Sequence, residues 1–166
     1  MGLKVAVQMD AIESIHIDGD STFALMLEAQ ARGHSLFYYQ VPQLALRDGS
    51  RYARGAGIKV RDKAGDHFEL GPERSLDLAT QDVIQMRQDP PFDMGYITAT
   101  YLLDMIHPKT LVVNNPTEVR NNSEKLFPLT YRQFMPDTLI TRDVEEIRAF
   151  RRSHGDIILK PLYGNG

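Results

Sequence analysis

The residues with the clearest chemical meaning lie at the end of the sequence, where a lysine is followed by glycines. Lys160 stands in the apolar run IILKPL directly before Pro161, and Gly164 and Gly166 follow it closely. A lysine among apolar strand residues favours a nearby anion, and glycines let a backbone wrap phosphate oxygens and present its N–H groups. The combination indicates phosphate binding. Each part alone is also typical of a solvent-exposed lysine at a strand end and of an ordinary glycine turn.

A second candidate phosphate ligand is Lys125, in the stretch NNSEKLF. Ser123 is predicted to be the N-cap of a helix there, which puts Lys125 in its first turn. A cation at this end opposes the helix dipole, so an anion nearby would relieve the conflict. The alternative is an exposed lysine paired with Glu124 or Glu118.

The stretch RQDPPFD, residues 87–93, predicts a ligand-binding turn. It leaves the carboxyl end of a buried strand, which is where open α/β sheets place their ligands. The two prolines stiffen the turn, so Arg87 and Asp89 would be held in fixed positions. Arg87 could then grip a substrate carboxylate with two N–H groups. The alternative is an Arg87–Asp89 pair that only closes the loop.

The bulk composition narrows the classes of function. With 166 residues, 42% apolar and 25% charged, the sequence is that of an ordinary globular protein of one domain or slightly more. The net charge of −3 includes no basic run that could neutralise a row of phosphates, so nucleic acid is not expected as a partner. There is no cysteine for a disulfide or a thiolate metal site. Because no membrane span or signal peptide is recognisable, we expect a cytoplasmic protein that does not bind membranes.

The elements that would position these residues alternate between strand and helix. Alternating apolar residues predict a first strand over residues 3–9. A helix over 22–32, N-capped by Asp20 or Ser21, leads to a second strand in SLFYYQV. Further buried strands are predicted in DVIQM and TLVVN, with a helix over about residues 95–106 between them. Strand–helix–strand units of these lengths imply a parallel sheet.

Residues 42–75 depart from this alternation. LALRDGSRYARG has the pattern of a hairpin with Asp48 and Gly49 at its turn, and IKVRDKAGDHFEL predicts a second hairpin around Gly65. After Pro136 we predict a strand in TLIT, a helix in RDVEEIRAFRRSH and a strand in DIILKPL. The fold class expected is therefore α/β, a parallel sheet flanked by helices with an antiparallel hairpin excursion.

Several of these stretches together resemble bacterial glutathione synthetase, an ATP-grasp ligase. The similar stretches are DSTFALMLEAQARG at 20–33, MRQDPPFD at 86–93, ATYLLD at 99–104, SEKLF at 123–127, PDTLITR at 136–142 and DIILKPL at 156–162. The resemblance covers the chain from Val5 onward and is weakest at 48–75. It implies a Rossmann-like pre-ATP-grasp substrate domain over residues 1–122, followed by the incomplete beginning of an ATP-grasp domain over 123–166.

The resemblance implies an enzyme that joins γ-glutamylcysteine to glycine. In that family ATP phosphorylates the cysteinyl carboxylate of the dipeptide, and the glycine amine attacks the resulting acyl phosphate. Such an enzyme uses ATP and Mg²⁺, is cytoplasmic and forms homo-oligomers. The family's polypeptide continues well beyond the position of residue 166, so we expect this truncated chain alone to be inactive.

The resemblance also implies roles for the residues singled out above. The residues expected to bind the nucleotide are Lys125, Lys160, Gly164 and Gly166. Those expected on the side of the dipeptide substrate are Arg87, Asp89 and Ser21. No metal ligand is expected in this chain, because the family's carboxylate and asparagine ligands lie in the part that follows. No catalytic residue is assigned, and no general base is required of this segment.

The sequence departs from the family at two positions in the glycine loop. Tyr163 stands where an aspartate is usual after KPL, and Asn165 stands where a methionine is usual between the glycines. Two alternatives remain open. One is another ATP-grasp carboxylate–amine ligase, such as a peptide or D-alanine ligase. The other is a non-catalytic, receiver-like binding domain with Asp10 at a strand end, which acetyl phosphate treatment followed by intact mass measurement would reveal.

Overall fold

The computed structural model describes residues 2–164, and the chain divides into two compact units, Met1–Asn121 and Asn122–Gly166. The first unit contains a seven-stranded sheet with helices on its faces. The second contains one α-helix and a 3₁₀ helix, and no strand is formed among its described residues.

Among its described residues, the first unit has seven strands and three α-helices. The strands are β1 Lys4–Gln8, β2 Ser35–Tyr39, β3 Leu44–Arg47, β4 Ser50–Val60, β5 Phe68–Asp77, β6 Val83–Met86 and β7 Leu111–Val113. The helices are α1 Ser21–Ala31, α2 Met94–Asp104 and α3 Pro116–Asn121, with 3₁₀ turns at Ile12–Ser14, Val41–Gln43 and Leu78–Thr80. Over the described part of the chain, no helix is both long and apolar enough to cross a membrane.

The sheet combines a parallel half with an antiparallel half. Its strand order is β3-β4-β2-β1-β6-β7, and β5 pairs with β4. The pairs β1–β2, β1–β6 and β6–β7 are parallel, whereas β4 is antiparallel to β2, β3 and β5. The carboxyl ends of β1, β2 and β6 therefore meet at one edge, as parallel βαβ units require. The predicted α/β class with a parallel sheet and an antiparallel excursion is confirmed.

The first βαβ unit follows the local signals in the sequence closely. The Asp20 carboxylate accepts a hydrogen bond from the Phe23 N–H at 2.7 Å, which satisfies one of the free donors at the start of α1. Gly33 has a φ of 78°, a conformation that glycine adopts without steric cost, and it ends the helix. Of the two residues considered for the N-cap, Asp20 has that role, and Ser21 is the first residue of the helix.

Both predicted hairpins are present, and they extend the same sheet. The β3–β4 turn contains Asp48 and Gly49, with φ values of 49° and 78°, and the β4–β5 turn contains Gly65 at 76°. Positive φ at both central residues matches the right-handed twist of a hairpin. Because β4 pairs with β2, the excursion stays within the sheet.

The core lies on both faces of the sheet. One cluster forms on the side of α1 and another on the side of α2, since successive residues of a strand point to opposite faces. The first cluster contains Val5, Val7, Met9, Ile12, Phe23, Met26, Leu36, Tyr38, Ile58 and Val60. The second contains Ala6, Phe37, Tyr39, Ala53, Leu78, Ile84, Met86, Leu103, Ile106 and Val112.

The hydroxyl of Tyr39 is fully buried without a hydrogen-bond partner among the described residues. Burial alone raises the pKa of this phenol far above its usual range, so the group stays neutral. An unsatisfied buried hydroxyl costs about 1–3 kcal/mol. We therefore expect Tyr39→Phe to raise the free energy of unfolding by about 1 kcal/mol in urea titrations followed by circular dichroism.

The neighbouring tyrosine supplies the matched control. The Tyr38 hydroxyl accepts from the Ile12 N–H at 3.2 Å and from the Gln40 amide at 3.0 Å, and donates to the Asp10 carbonyl at 3.3 Å. Tyr38→Phe should therefore lower the free energy of unfolding by about 1 kcal/mol. Equal effects of the two substitutions would contradict the assignment of an unpartnered hydroxyl to Tyr39.

The second unit is built around α4, Val144–His154. The Asp143 side chain accepts from the Glu145 N–H at 2.8 Å, and Gly155, with a φ of 79°, follows the last helical residue. A kinked 3₁₀ helix covers Phe127–Phe134. The helix predicted in RDVEEIRAFRRSH and its glycine stop are confirmed.

Two strands predicted for this unit are wrong. Residues 138–141 and 156–162 form no strand, and side chains there are exposed, with Ile158 83% and Leu159 69% accessible. A strand exists only where its N–H and C=O groups pair with a neighbour. Apolar composition and β-branching, on which the prediction rested, cannot supply that neighbour, and the described residues of the unit contain none.

Candidate functional site

The first candidate site lies where β1 and β6 end and α1 begins. Arg87 directly follows β6, and Ser21 and Thr22 are the first residues of α1. Asp10 stands just beyond β1. The parallel order β2-β1-β6 brings Arg87 to the same edge of the sheet as the end of β1 and the start of α1, although it is more than 60 residues away from both in the sequence. This is the edge at which α/β sheets bind ligands.

Two hydroxyl groups fix the guanidinium of Arg87. Its Nε donates to Thr22 Oγ1 at 3.0 Å, and Nη2 donates to Ser21 Oγ at 2.6 Å. No carboxylate of the described residues lies within the 4.0 Å of an ion pair with this side chain. The alternative of an Arg87–Asp89 pair that closes the loop is therefore wrong. The two neutral hydroxyls fix the orientation of the guanidinium and do not neutralise its positive charge.

The guanidinium keeps N–H groups that bind no described residue. Arginine has donors on Nε and on both terminal nitrogens, and the two hydroxyls use only one donor each of Nε and Nη2. The Nη1 donors and the second Nη2 donor have no partner among the residues that the structure describes. Two terminal nitrogens side by side match the two oxygens of a carboxylate.

Asp89 lies beside this arginine but is held through its backbone. The Asp89 N–H donates to the Asp10 carboxylate Oδ2 at 2.7 Å. Burial raises the pKa of the Asp89 carboxyl, the negative charges of Asp10 and Asp20 raise it further, and Arg87 counteracts them. Among the described residues, the charges that act on Asp89 are those of Asp10, Asp20 and Arg87, a balance that limits how many further anions can bind without added positive charge.

Thr22 and Tyr96 of this site were not singled out from the sequence, and Asp10 was considered only in the receiver-like alternative. Thr22 orients Arg87, Asp10 holds the turn, and Tyr96 stands at the start of α2. Burial raises the pKa of the Tyr96 phenol, Arg87 lowers it, and the charges of Asp89 and Asp10 raise it. The available signal for Asp10 was its place directly after a strand. Nothing local distinguishes Thr22 or Tyr96.

The second candidate site lies in the second unit, where Lys125 meets Gly164. Lys125 Nζ, which is half-buried, donates to the Gly164 carbonyl at 2.5 Å across 39 residues of sequence. The predicted helix with Ser123 as N-cap is wrong, because residues 124–126 form a hydrogen-bonded turn with the Leu126 and Phe127 N–H groups on the Ser123 carbonyl. The conflict with a helix dipole therefore does not arise.

The remaining nucleotide-binding candidates are placed differently. Lys160 is exposed and makes no hydrogen bond or ion pair with any described residue, so its predicted position among buried strand residues is wrong. Tyr163, one of the departures from the family pattern, is 47% exposed. Gly166 and Asn165 lie outside the described residues. Within residues 2–164, no three His, Cys, Asp or Glu side chains come together in a way that could hold a metal ion.

Comparisons with known families match both units. The family described as prokaryotic glutathione synthetase, N-terminal domain, matches residues 3–120, and the prokaryotic glutathione synthetase ATP-grasp domain matches residues 124–166. The first of these matches alone covers more than half of the chain.

Individual relatives agree with the family matches. The chain is 60% identical to a glutathione synthetase of Brucella melitensis over all 166 of its residues, which cover 53% of that relative. It is 59% identical to one of Agrobacterium fabrum over 98% of the chain and 51% of the relative. A more distant relative from Yersinia pestis is 46% identical over 99% of the chain and 52% of the relative. The chain thus spans about half the length of the curated relatives it matches.

Proposed function

Because the chain belongs to the prokaryotic glutathione synthetase family, we propose that it is part of an ATP-dependent ligase that joins γ-glutamylcysteine to glycine. The observation that carries the proposal is the Arg87 guanidinium, fixed by Ser21 and Thr22 at 2.6 and 3.0 Å with free N–H groups at the carboxyl edge of the sheet. The relatives, all called glutathione synthetase, support the reaction.

We propose that the chain contains parts of two domains with different roles. Residues 1–122 form the pre-ATP-grasp substrate domain, and residues 123–166 begin the ATP-grasp domain. The matches to the two family descriptions, which cover residues 3–120 and 124–166, support this boundary.

The reaction joins a carboxylate to an amine, and its first step must overcome the repulsion between two anions. A carboxylate oxygen of the dipeptide attacks the γ-phosphorus of ATP, ADP leaves, and an acyl phosphate forms. The glycine amine then attacks the acyl carbon, phosphate leaves, and the amine loses a proton. Two anions must be held together in the first step, so the protein must position and partly neutralise both.

In this proposal Arg87 binds a carboxylate of the dipeptide. Its free Nη1 and Nη2 donors can hold both oxygens, while Ser21 maintains the direction of the guanidinium. Asp89, held by Asp10, completes the substrate side of the site. The Asp89 carboxylate suits the ammonium group that γ-glutamylcysteine carries, since opposite charges within a few ångströms favour the charged forms.

On the nucleotide side we propose Lys125, Lys160, Gly164 and Gly166. Lys125 already reaches the loop, because its Nζ binds the Gly164 carbonyl. Lys160 is exposed and free to meet a phosphate. Both residue types fit the phosphates of ATP.

Among residues 2–164, no group of three or more His, Cys, Asp and Glu side chains is placed to hold a metal ion. Mg²⁺ neutralises phosphate oxygens in enzymes of this kind. We propose that its ligands lie in the part of the ligase outside these 166 residues. We further propose a cytoplasmic, homo-oligomeric enzyme without nucleic-acid or membrane partners.

The function is tested with a ligase of the relatives' length that contains this chain. Incubation with ATP, Mg²⁺, γ-glutamylcysteine and glycine should yield glutathione and one ADP per product, measured by mass spectrometry. A polypeptide of the 166 residues alone serves as control and should stay at background. If the enzyme ligates D-alanine or other amines and does not join γ-glutamylcysteine to glycine, the chain belongs to another carboxylate–amine ligase. Stable phosphorylation by acetyl phosphate would support the receiver-like alternative.

A further inference from the structure

The end of β1 holds three consecutive residues of the turn that carries Arg87. The Arg87 N–H donates to the Gln8 carbonyl at 2.7 Å. The Gln8 side-chain amide donates to the side-chain carbonyl of Gln88. The Asp10 carboxylate accepts from the Asp89 N–H at 2.7 Å. Residues 8–10 thus bind the backbone of Arg87, the side chain of Gln88 and the backbone of Asp89.

Apart from the bonds of the Arg87 side chain to Ser21 and Thr22, the turn makes few other hydrogen bonds with the described residues. β6 ends at Met86, and the following Pro90 and Pro91 lack the N–H that could bind elsewhere in the loop. Gln8 is fully buried and Gln88 is only 7% exposed, so their amides meet away from solvent. A buried hydrogen bond is expensive to lose, because both groups then lack water as a replacement partner.

The amides of Gln8 and Gln88 can form their hydrogen bond in only two orientations. Gln8 Oε1 and Gln88 Nε2 have no partner among the described residues, so the two side chains share a single bond. Rotating both amides by half a turn reverses donor and acceptor and again gives one bond. Either way, each glutamine depends on the other.

We propose that Gln8 and Asp10 are positioning residues, which fix the turn at residues 87–89 and through it direct the Arg87 guanidinium towards the substrate. They bind the turn itself and touch no substrate. The effect on substrate rests on the function proposed above, whereas the effect on the turn does not.

The effect on the turn is measured with the 166-residue chain by amide hydrogen exchange in NMR. Asp10 is exposed, so Asp10→Ala should leave the fold intact. The Asp89 N–H should then exchange about tenfold faster or more, as expected for a lost bond to a charged acceptor. Asp10→Asn keeps an acceptor oxygen and should retain most of the protection. Unchanged Asp89 exchange in Asp10→Ala would overturn the proposal.

Asp143→Ala is the matched control. It removes a carboxylate that likewise accepts from a backbone N–H, that of Glu145 at 2.8 Å, but at the start of α4. Exchange at Asp89 should not change in this variant. Faster exchange at Asp89 in both variants would indicate general loosening and would also overturn the proposal.

The buried pair needs a second comparison, because single substitutions there affect folding. Gln8→Leu leaves the Gln88 amide buried without a partner, whereas Gln8→Leu combined with Gln88→Leu removes both polar groups. The single variant should speed Asp89 exchange more than the double variant does. If Asp89 exchanges faster in the double variant than in the single variant, the amide pair does not position the turn.

The effect on substrate is measured in the ligase of the relatives' length by a double-mutant cycle. Asp10→Ala should raise the KM for γ-glutamylcysteine by roughly three- to tenfold and leave the KM for ATP unchanged. In an Arg87→Ala background it should add almost nothing, because residues that act through one another are not additive. Fully additive effects would overturn the positioning role while leaving the proposed function intact. If Arg87→Ala itself has no effect, the proposed role of Arg87 fails, whatever the exchange data show.

Discussion

Arg87→Ala is expected to raise the KM for γ-glutamylcysteine by about 10- to 150-fold, while the KM for ATP stays unchanged. The physical reason is the loss of hydrogen bonds between a guanidinium and a carboxylate, which contribute about 1.5–3 kcal/mol, and each 1.4 kcal/mol is about tenfold in affinity. The hydroxyls of Ser21 and Thr22 hold the guanidinium before substrate arrives, so little of this free energy is lost in ordering it. Steady-state kinetics with each substrate varied in turn measures the effect.

Two further variants separate charge, geometry and stability. Arg87→Lys keeps the positive charge but loses the planar fork, so its KM should fall between those of wild type and Arg87→Ala. Arg32→Ala, which removes an exposed arginine paired with Glu28 on α1, should leave both constants unchanged. A rise in the KM for ATP instead of that for the dipeptide would show that the division into two subsites is wrong.

The first unit was largely predictable because its signals are local. The alternation in β1, the N-cap at Asp20 and the glycine after α1 each depend on a few adjacent residues. The Asp48–Gly49 hairpin likewise follows from turn chemistry. Such signals keep their meaning wherever the segment lies in the fold, so element type and order could be derived from them.

The hydrogen bonds of the site could not be derived in the same way. Arg87 and Thr22 are 65 residues apart, and Asp10 and Asp89 are 79 apart. Strand order explains why both pairs reach the same edge, but side-chain direction decides which atoms meet. The sequence therefore predicted that the proline-stiffened turn would fix Arg87, but it did not predict the bonds from Arg87 to Ser21 and Thr22.

The strand predicted around Lys160 failed for a related reason. The pattern IILKPL describes what a strand would bury if a neighbouring strand paired with it, and pairing is a property of the rest of the sheet. In this structure Lys160 is exposed. Its candidacy as a phosphate ligand therefore rests on an accessible, unpaired ammonium and no longer on the cost of burying one.

Because Lys160 is accessible, we expect its removal to cause a large loss of ATP affinity. Lys160→Ala should weaken ATP binding by roughly 1.5–3 kcal/mol, the range for a charge-assisted bond, which is about 10- to 150-fold. Lys160 has no described partner to give up, so the whole interaction with phosphate is available. Lys125 must exchange its bond to the Gly164 carbonyl for one to phosphate, so Lys125→Ala should cost less than Lys160→Ala. Calorimetric titration of the ligase of the relatives' length with Mg-ATP measures both.

The charge and position of Lys160 are then tested separately. Lys160→Arg keeps the cation and should recover part of the lost affinity, whereas Lys59→Ala, an exposed lysine on β4, should leave ATP binding unchanged. An ATP affinity that is the same in wild type and Lys160→Ala would remove Lys160 from the nucleotide site. A larger loss in Lys125→Ala than in Lys160→Ala would mean that the bond to Gly164 shapes the glycine loop for phosphate, and that Lys125 acts on the loop as well as on the nucleotide.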